Sequence, residues 1–241
     1  MTDLAASLDG IEAVVFDLDG TLVDTLPDLA DAINRMFAEE GRPALDSAAV
    51  KRMIGDGAMM LVERALAAAG PTPDAEACAA PRRRFLDFYT AAVSRRSRPY
   101  AGVVETLGAL RTAGLRLGVC TNKPFGPTQR LLADLDLAGF FAAVVGGDSA
   151  EAKKPDGRHL LATLDSLGAA PGGAVMVGDS AIDVAAARDA GVAVIAVGYG
   201  YANDPAASLG ADAVIDRFAA LPDALARLAS RGAIRHRRAG S

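Results

Sequence analysis

At 241 residues the chain is long enough for one ordinary domain with a smaller insertion. Hydrophobic residues make up 51% of it, with no Trp, so the core has to be built mainly from Ala, Val, Leu and Ile. A net charge of -5 at pH 7 supplies no basic face for a polyanion and points away from nucleic acid as a partner.

Cys78 and Cys120 have neither metal-ligand spacing nor the density of a disulfide framework. The first ten residues carry acids and no apolar stretch of signal length, and no later run approaches the roughly 18 residues of a membrane span. The expectation is a cytoplasmic protein without membrane contact. The basic stretch 231–241 lacks an apolar face and reads as a solvated tail.

The first element is a strand-sized aliphatic run, Ala13–Phe16. From about Asp24 to Arg98 the pattern is helical, with no convincing strand. Candidate helices there are Leu26–Glu40, stopped by Gly41, then Ser47–Ile54, Ala58–Ala69, ended at Gly70, and Pro81–Val93. Pro71–Pro73 and Ser94–Pro99 read as turns or hinges, the second marking the return to the main domain. Strand-like runs then alternate with helices: Val103–Thr112, Leu115–Cys120, Thr128–Leu135, Ala142–Val145, Arg158–Leu167, Ala174–Val177, Ile182–Ala190, Val192–Val197 and Ala213–Ile215. Gly114, Gly168 and Gly191 stand where helices end. Such alternation specifies an α/β protein with a parallel sheet. The boundaries expected are a discontinuous core, 1–22 and 99–241, and an all-helical cap, 23–98.

Four polar segments follow strands, where ligand sites of open parallel sheets form. Phe16-Asp17-Leu18-Asp19-Gly20-Thr21 follows the first strand. A carboxylate can accept a phosphoryl group while a second protonates the leaving oxygen and later deprotonates water, and Asp17 and Asp19 fit those roles. Gly20 would let backbone amides approach phosphate oxygens, and the Thr21 hydroxyl could donate to them. Taken alone, the segment is also compatible with an Asp-Gly turn. Thr121-Asn122-Lys123 offers a hydroxyl, an amide and a cation, although a polar strand-to-helix turn ahead of Pro124 would look the same. In Lys153-Lys154-Pro155, Lys154 is the choice for neutralising phosphate and carboxylate charge. The last segment, Val177-Gly178-Asp179-Ser180-Ala181-Ile182-Asp183, opens a helix, and Asp179 or Ser180 could serve merely as its N-cap. Mg2+ prefers oxygen ligands. Asp17, Asp179 and the Asp19 backbone carbonyl could hold it, with Asp183 binding directly or ordering its waters.

These segments, in this order and spacing, resemble the haloacid dehalogenase-like phosphatases over nearly the whole chain. The resemblance implies a Rossmann-like sheet with helices on both faces, a helical cap inserted after the first motif, and the roles above for Asp17, Asp19, Thr121, Lys154 and Asp179. Gly157 departs from the pattern, standing where the family often has proline, and is expected to loosen the turn after Lys154.

More narrowly, Asp24-Thr-Leu-Pro-Asp-Leu29, Met53-Ile-Gly-Asp-Gly57 with Glu63-Arg-Ala-Leu66, and Val197-Gly-Tyr-Gly-Tyr201 look like the bacterial phosphoglycolate phosphatases. This implies Mg2+-dependent hydrolysis of 2-phosphoglycolate, with Arg52, Gly55, Asp56 and Gly57 contacting the carboxylate end as the cap closes. Relatives that hydrolyse sugar phosphates, an amino-sugar acid phosphate or pyrophosphate share much of the pattern, as does a phosphomutase. A non-enzymatic module binding a phosphorylated ligand is a further alternative. The expected partner is a small phosphorylated metabolite, and the expected state a monomer or homodimer.

Overall fold

The computed structural model describes residues 4–70, 74 and 76–230. The expected turn at 71–73 and the basic tail at 231–241 lie outside them. A short helix, α1 (Leu4–Ser7), leads into strand β1 (Ala13–Phe16). A two-residue strand, β2 (Val23–Asp24), opens the insertion, which contains α2 (Leu26–Glu39), α3 (Ser47–Lys51), α4 (Ala58–Ala68) and α5 (Ala79–Ala91). The chain returns through β3 (Arg98–Pro99) and continues with α6 (Val103–Thr112), β4 (Arg116–Cys120), α7 (Phe125–Asp134), β5 (Ala143–Val145) and α8 (Gly157–Leu167). It ends with β6 (Ala174–Gly178), α9 (Ala181–Asp189), β7 (Ala193–Val197), β8 (Ala213–Ile215) and α10 (Leu221–Ser230).

The six longer strands form one parallel sheet in the order β5-β4-β1-β6-β7-β8. This is the doubly wound α/β arrangement. It places the switch point between β1 and β6, where a crevice opens beyond the strand ends. Register carries the argument to individual residues: Phe16 lies opposite both Val119 and Val177, so the residues that follow the three strands emerge at one edge.

Every residue of β1 is fully buried, which is why the run reads as continuously apolar instead of alternating. The alternation survives in the packing. Val14 and Phe16 join one core cluster with Leu107, Leu110, Leu131 and Leu225, while Ala13 and Val15 join the other with Leu160, Leu164 and Val184. Helices α8 and α9 therefore cover one face, and α6, α7 and α10 the other.

Two expectations need correction. The interval between the first and second long strands is not free of strand, because β2 and β3 pair antiparallel, Val23 with Pro99 and Asp24 with Arg98. Two residues per strand are too few to show a period of two. The sequence reading also placed no helix after Ile215, yet Leu221, Ala224, Leu225 and Leu228 form the buried stripe of α10.

The insertion is fastened at its base by Asp28, a buried carboxylate that accepts hydrogen bonds from Arg96 N (2.9 Å), Ser97 N (2.7 Å) and Ser97 Oγ (2.7 Å). Three donors, Arg96 N, Ser97 N and Ser97 Oγ, converge on this one carboxylate, so it belongs to the hinge and not to solvent. Among the described residues, no helix is long and apolar enough to cross a membrane.

Candidate active site

The crevice beyond β1 and β6 is floored by buried acids. Asp17 follows β1, Asp179 follows β6, and Asp183 sits one turn into α9. One carboxylate oxygen from each lies within 4.8 Å of the others. The local sequence explains the approach: Ser180 and Asp183 form a reciprocal capping box, in which Asp183 Oδ2 accepts from Ser180 N (3.1 Å) and Ser180 Oγ (2.6 Å). The N-cap is therefore Ser180, which leaves Asp179 free of capping. Asp179 Oδ2 instead accepts the Tyr201 N–H at 2.5 Å. Gly20, at φ +86°, makes room for Asp179, because a Cβ there would collide with its carboxylate.

One cation answers the three acids. Lys154 Nζ donates to Asp17 Oδ1 (2.7 Å) and Asp183 Oδ1 (2.6 Å) and is buried, whereas Lys153 is exposed. Burial pushes the Asp17 carboxyl up to about 6 despite the opposing pull of Lys154, with Asp183 adding to the rise. Burial, then Asp183 and Asp17, push Asp179 upward as well. Three carboxylates facing one ammonium form a site short of positive charge. Hard oxygen donors this close together fit a divalent cation, and Asp17, Asp179 and Asp183 could hold one.

The loop carrying Lys154 is braced by His159, which the sequence reading did not single out. Its Nδ1 accepts the Lys154 N–H (3.3 Å), and its Nε2 donates to Gly146 O (3.1 Å). Those two bonds require the neutral tautomer. Burial, and secondarily Lys154, hold its pKa down to about 4. The turn is not loosened at Gly157: its N–H, which proline would lack, donates to Asp189 Oδ2 at 2.8 Å.

Asp19 stands apart from the acid cluster. Its Oδ1 accepts from Thr25 Oγ1 (2.7 Å), and Lys123 Nζ lies 2.9 Å from both carboxylate oxygens. Thr25 is the N-cap of α2, but its hydroxyl serves Asp19 instead of the helix. The backbone N–H groups of Thr25 and Leu26 go to the Tyr201 hydroxyl (2.7 and 2.9 Å), which in turn donates to Asp24 Oδ1 (2.6 Å). Tyr201 thus joins the Asp179 loop to the start of the insertion.

Three residues expected to face phosphate are committed elsewhere. The Gly20 N–H donates to Val23 O (2.9 Å), and the fully buried Thr21 hydroxyl is aimed at Asp179 Oδ1 (3.5 Å). Asn122 directs its amide N–H groups to Lys154 O (2.9 Å) and Gly55 O (3.3 Å). Each was chosen for its chemistry, and each is used to hold loops together. Thr121 differs, because its Oγ1 accepts the Lys123 N–H (3.3 Å) and keeps its own proton for a ligand. Backbone N–H groups of Leu18, Asp19 and Asn122 have no acceptor among the described residues.

The insertion forms the roof. Gly55 and Gly57 take positive φ, and a Cβ on Gly57 would press on Asn122 O at 2.8 Å, so this turn rests directly on the strand-end loop. Two clefts reach Asp17 and Asp19 beneath it. One is walled by Leu29, Ile54, Leu61, Phe85, Tyr89 and Lys123. The other is polar and includes Arg52, Asp56, Arg64 and Asp179. Asp56 is paired with Arg64, and Arg52 is exposed with no ionic partner among the described residues.

The model of the haloacid dehalogenase-like hydrolases matches residues 14–197. The chain belongs to that family. It is 52% identical over 216 residues to a phosphoglycolate phosphatase of Rhodospirillum rubrum, covering 88% of this chain and 90% of that protein. It is 48% identical over 211 residues to one from Caulobacter vibrioides, with 88% and 89% covered. A crystal structure from Haemophilus somnus 129PT, described as a predicted phosphoglycolate phosphatase, superposes with a TM-score of 0.85 at 34% identity, covering 89% of this chain and 98% of that one. This haloacid dehalogenase-like chain is thus an enzyme of the hydrolase class, similar to phosphoglycolate phosphatases across almost its whole length.

Tyr201, His159, Thr25 and Lys123's grip on Asp19 were not assigned from sequence. Thr25 carried a signal, as a threonine one residue before Leu26-Pro27 at a helix start. Tyr201 and His159 act across 176 and 13 residues, a pairing no local pattern announces.

Proposed function

We propose that the chain is a Mg2+-dependent phosphatase acting on 2-phosphoglycolate in the cytoplasm, with Asp17 as nucleophile and residues 23–98 as a cap over the site. The observation that carries this reading is the buried Asp17, Asp179 and Asp183 cluster around Lys154, beside a second carboxylate, Asp19, with different partners. Environments that differ this much divide two carboxylates between nucleophile and acid/base.

In the proposed reaction an Asp17 oxygen attacks phosphorus and the P–O bond to glycolate breaks. Asp19 protonates the departing ester oxygen, then takes a proton from the water that attacks the aspartyl-phosphate, which frees Asp17 and phosphate. Lys154 offsets charge on Asp17 and on the transferring group. Thr121 Oγ1 and the N–H groups of Leu18, Asp19 and Asn122 supply donors for the phosphate oxygens. Mg2+, held by Asp17, Asp179, Asp183 and the Asp19 carbonyl, would supply positive charge for the phosphoryl oxygens. Gly55, Asp56 and Gly57 roof the substrate, while Gly20 and Thr21 shape the Asp179 pocket. Arg52 lies at the polar mouth, where it meets the incoming carboxylate end.

The test is phosphate release from a panel of small phosphate esters with and without Mg2+. A preference for 2-phosphoglycolate that requires the metal is expected. Broad turnover with no such preference removes the substrate assignment, and turnover undiminished by chelation removes the metal.

A further inference from the structure

The Lys123 ion pair creates a difficulty for Asp19. Both Asp19 carboxylate oxygens lie 2.9 Å from Lys123 Nζ and one also accepts the Thr25 hydroxyl, so an approaching ester oxygen has to compete with the ammonium for them. Something has to take Lys123 from Asp19 before the first half-reaction.

We infer that the substrate's own carboxylate does so, and that Lys123 and Tyr89 are the receptor that recognises it. The inference rests on the reading of this chain as a phosphatase for a carboxylate-bearing ester, and it names the side chains that make that choice.

Three observations converge. First, Lys123 Nζ is buried between Asp19 and the face of Tyr89, 4.4 Å from the ring centre, so one cation joins the strand-end loop to α5 of the roof. Second, the buried Tyr89 hydroxyl has no hydrogen-bond partner among the described residues. An unpaired phenol carries a desolvation cost, and it lines the same cleft as Lys123, where a carboxylate would supply the missing acceptor. Third, the covalent geometry of the ester limits where its carboxylate can go. Asp19 has to approach the ester oxygen to roughly 3 Å to protonate it. In an ester of a 2-hydroxy acid the carboxylate is attached to the carbon bearing that oxygen, so it enters the neighbourhood of Asp19 already occupied by Lys123.

The exchange conserves charge. Lys123 leaves one carboxylate for another, and Asp19, with only the Thr25 hydroxyl still on it, is opened to the ester oxygen. An ester whose alcohol lacks an acid group leaves Lys123 on Asp19. Discrimination then arises in the proton-transfer step as well as in binding. Arg52, in the other cleft, attracts the anion from outside without taking part in this exchange.

The experiment compares kcat/KM for 2-phosphoglycolate with that for 2-hydroxyethyl phosphate, which replaces the carboxylate by an alcohol, in wild type, Tyr89→Phe and Lys123→Met. The wild type is expected to favour the acid, with the ratio falling about 10-fold in Tyr89→Phe, mainly through KM, and about 100-fold in Lys123→Met. Tyr89→Phe removes one unpartnered oxygen and keeps the ring, so it decides the matter even if Lys123→Met does not melt cooperatively. A ratio unchanged in Tyr89→Phe and in a folded Lys123→Met overturns the inference while leaving the substrate assignment standing. A wild type with no preference for the acid overturns both.

Discussion

The floor and the roof of the crevice are built on opposite principles. On the floor, Asp183 and Lys154 each have two or more charged or hydrogen-bonded partners, and Asp17, Asp179, Asp183 and Lys154 are all buried. On the roof, Gly55 and Gly57 rely on positive φ, and among the described residues the exposed Arg52 has no ionic partner and the Tyr89 hydroxyl no hydrogen-bond partner. The floor holds a geometry before the ligand arrives, whereas the roof keeps groups in reserve for it. Invariant chemistry is suited to the first arrangement and substrate choice to the second.

The contrast is sharpened most by Asp17→Asn. Turnover is expected to fall by about 10,000-fold or more, as for loss of a nucleophile. Stability without metal should nevertheless be unchanged or higher, because a buried carboxyl pushed up to about 6 is relieved of its charge. Phosphate release and urea melts on one preparation check both, and a large loss of stability would show the floor to be balanced differently.

Lys154→Met comes next, with a loss of about 3 to 5 kcal/mol in urea unfolding, since Asp17 and Asp183 are left buried without their shared cation. Asp28→Ala tests the hinge that joins the two regions. Removing the acceptor for Arg96 N and Ser97 should lower stability by about 3 kcal/mol and raise KM more than it lowers kcat.

His159→Gln separates the floor's bracing from its charge. The folded pKa of about 4 lies below the ordinary 6.5, so the unfolded chain binds more protons between those values. The stability contribution of neutral His159 is complete above pH 6.5 and is lost as pH falls from 6.5 through 4. The wild type should therefore lose about 2 kcal/mol more than the variant across that window in pH-dependent urea melts. Parallel curves would refute the neutral brace. The smallest effect is expected on the roof: Arg52→Ala should raise KM about 10-fold at low salt, with stability changed by less than about 0.5 kcal/mol.

Much of this was legible in the residues. The six long strands appear as aliphatic runs because both sheet faces are covered, and Ala13–Phe16, Val103–Thr112 and Ala213–Ile215 coincide with elements end to end. The acids after β1 and β6 could be placed because strand ends in a parallel sheet converge. What sequence did not disclose is how donors are shared once they converge. Gly20, Thr21 and Asn122 have the right groups for phosphate, yet their donors are taken by Val23 O, Asp179, Lys154 O and Gly55 O. Lys123, read as a cation for phosphate, lies instead on Asp19. Two of these allocations, Lys123 to Asp19 and Thr21 to Asp179, depend on contacts across more than a hundred residues and leave no local period.

The assignment of Asp17 as the group that carries phosphate is tested most directly by rapid quenching of the enzyme during turnover of 2-phosphoglycolate with Mg2+, followed by borohydride reduction and peptide mass analysis. Asp17 is expected to be reduced from its acyl phosphate in proportion to the first burst of glycolate, with no such product in Asp17→Asn. A glycolate burst with Asp17 unmodified would contradict it.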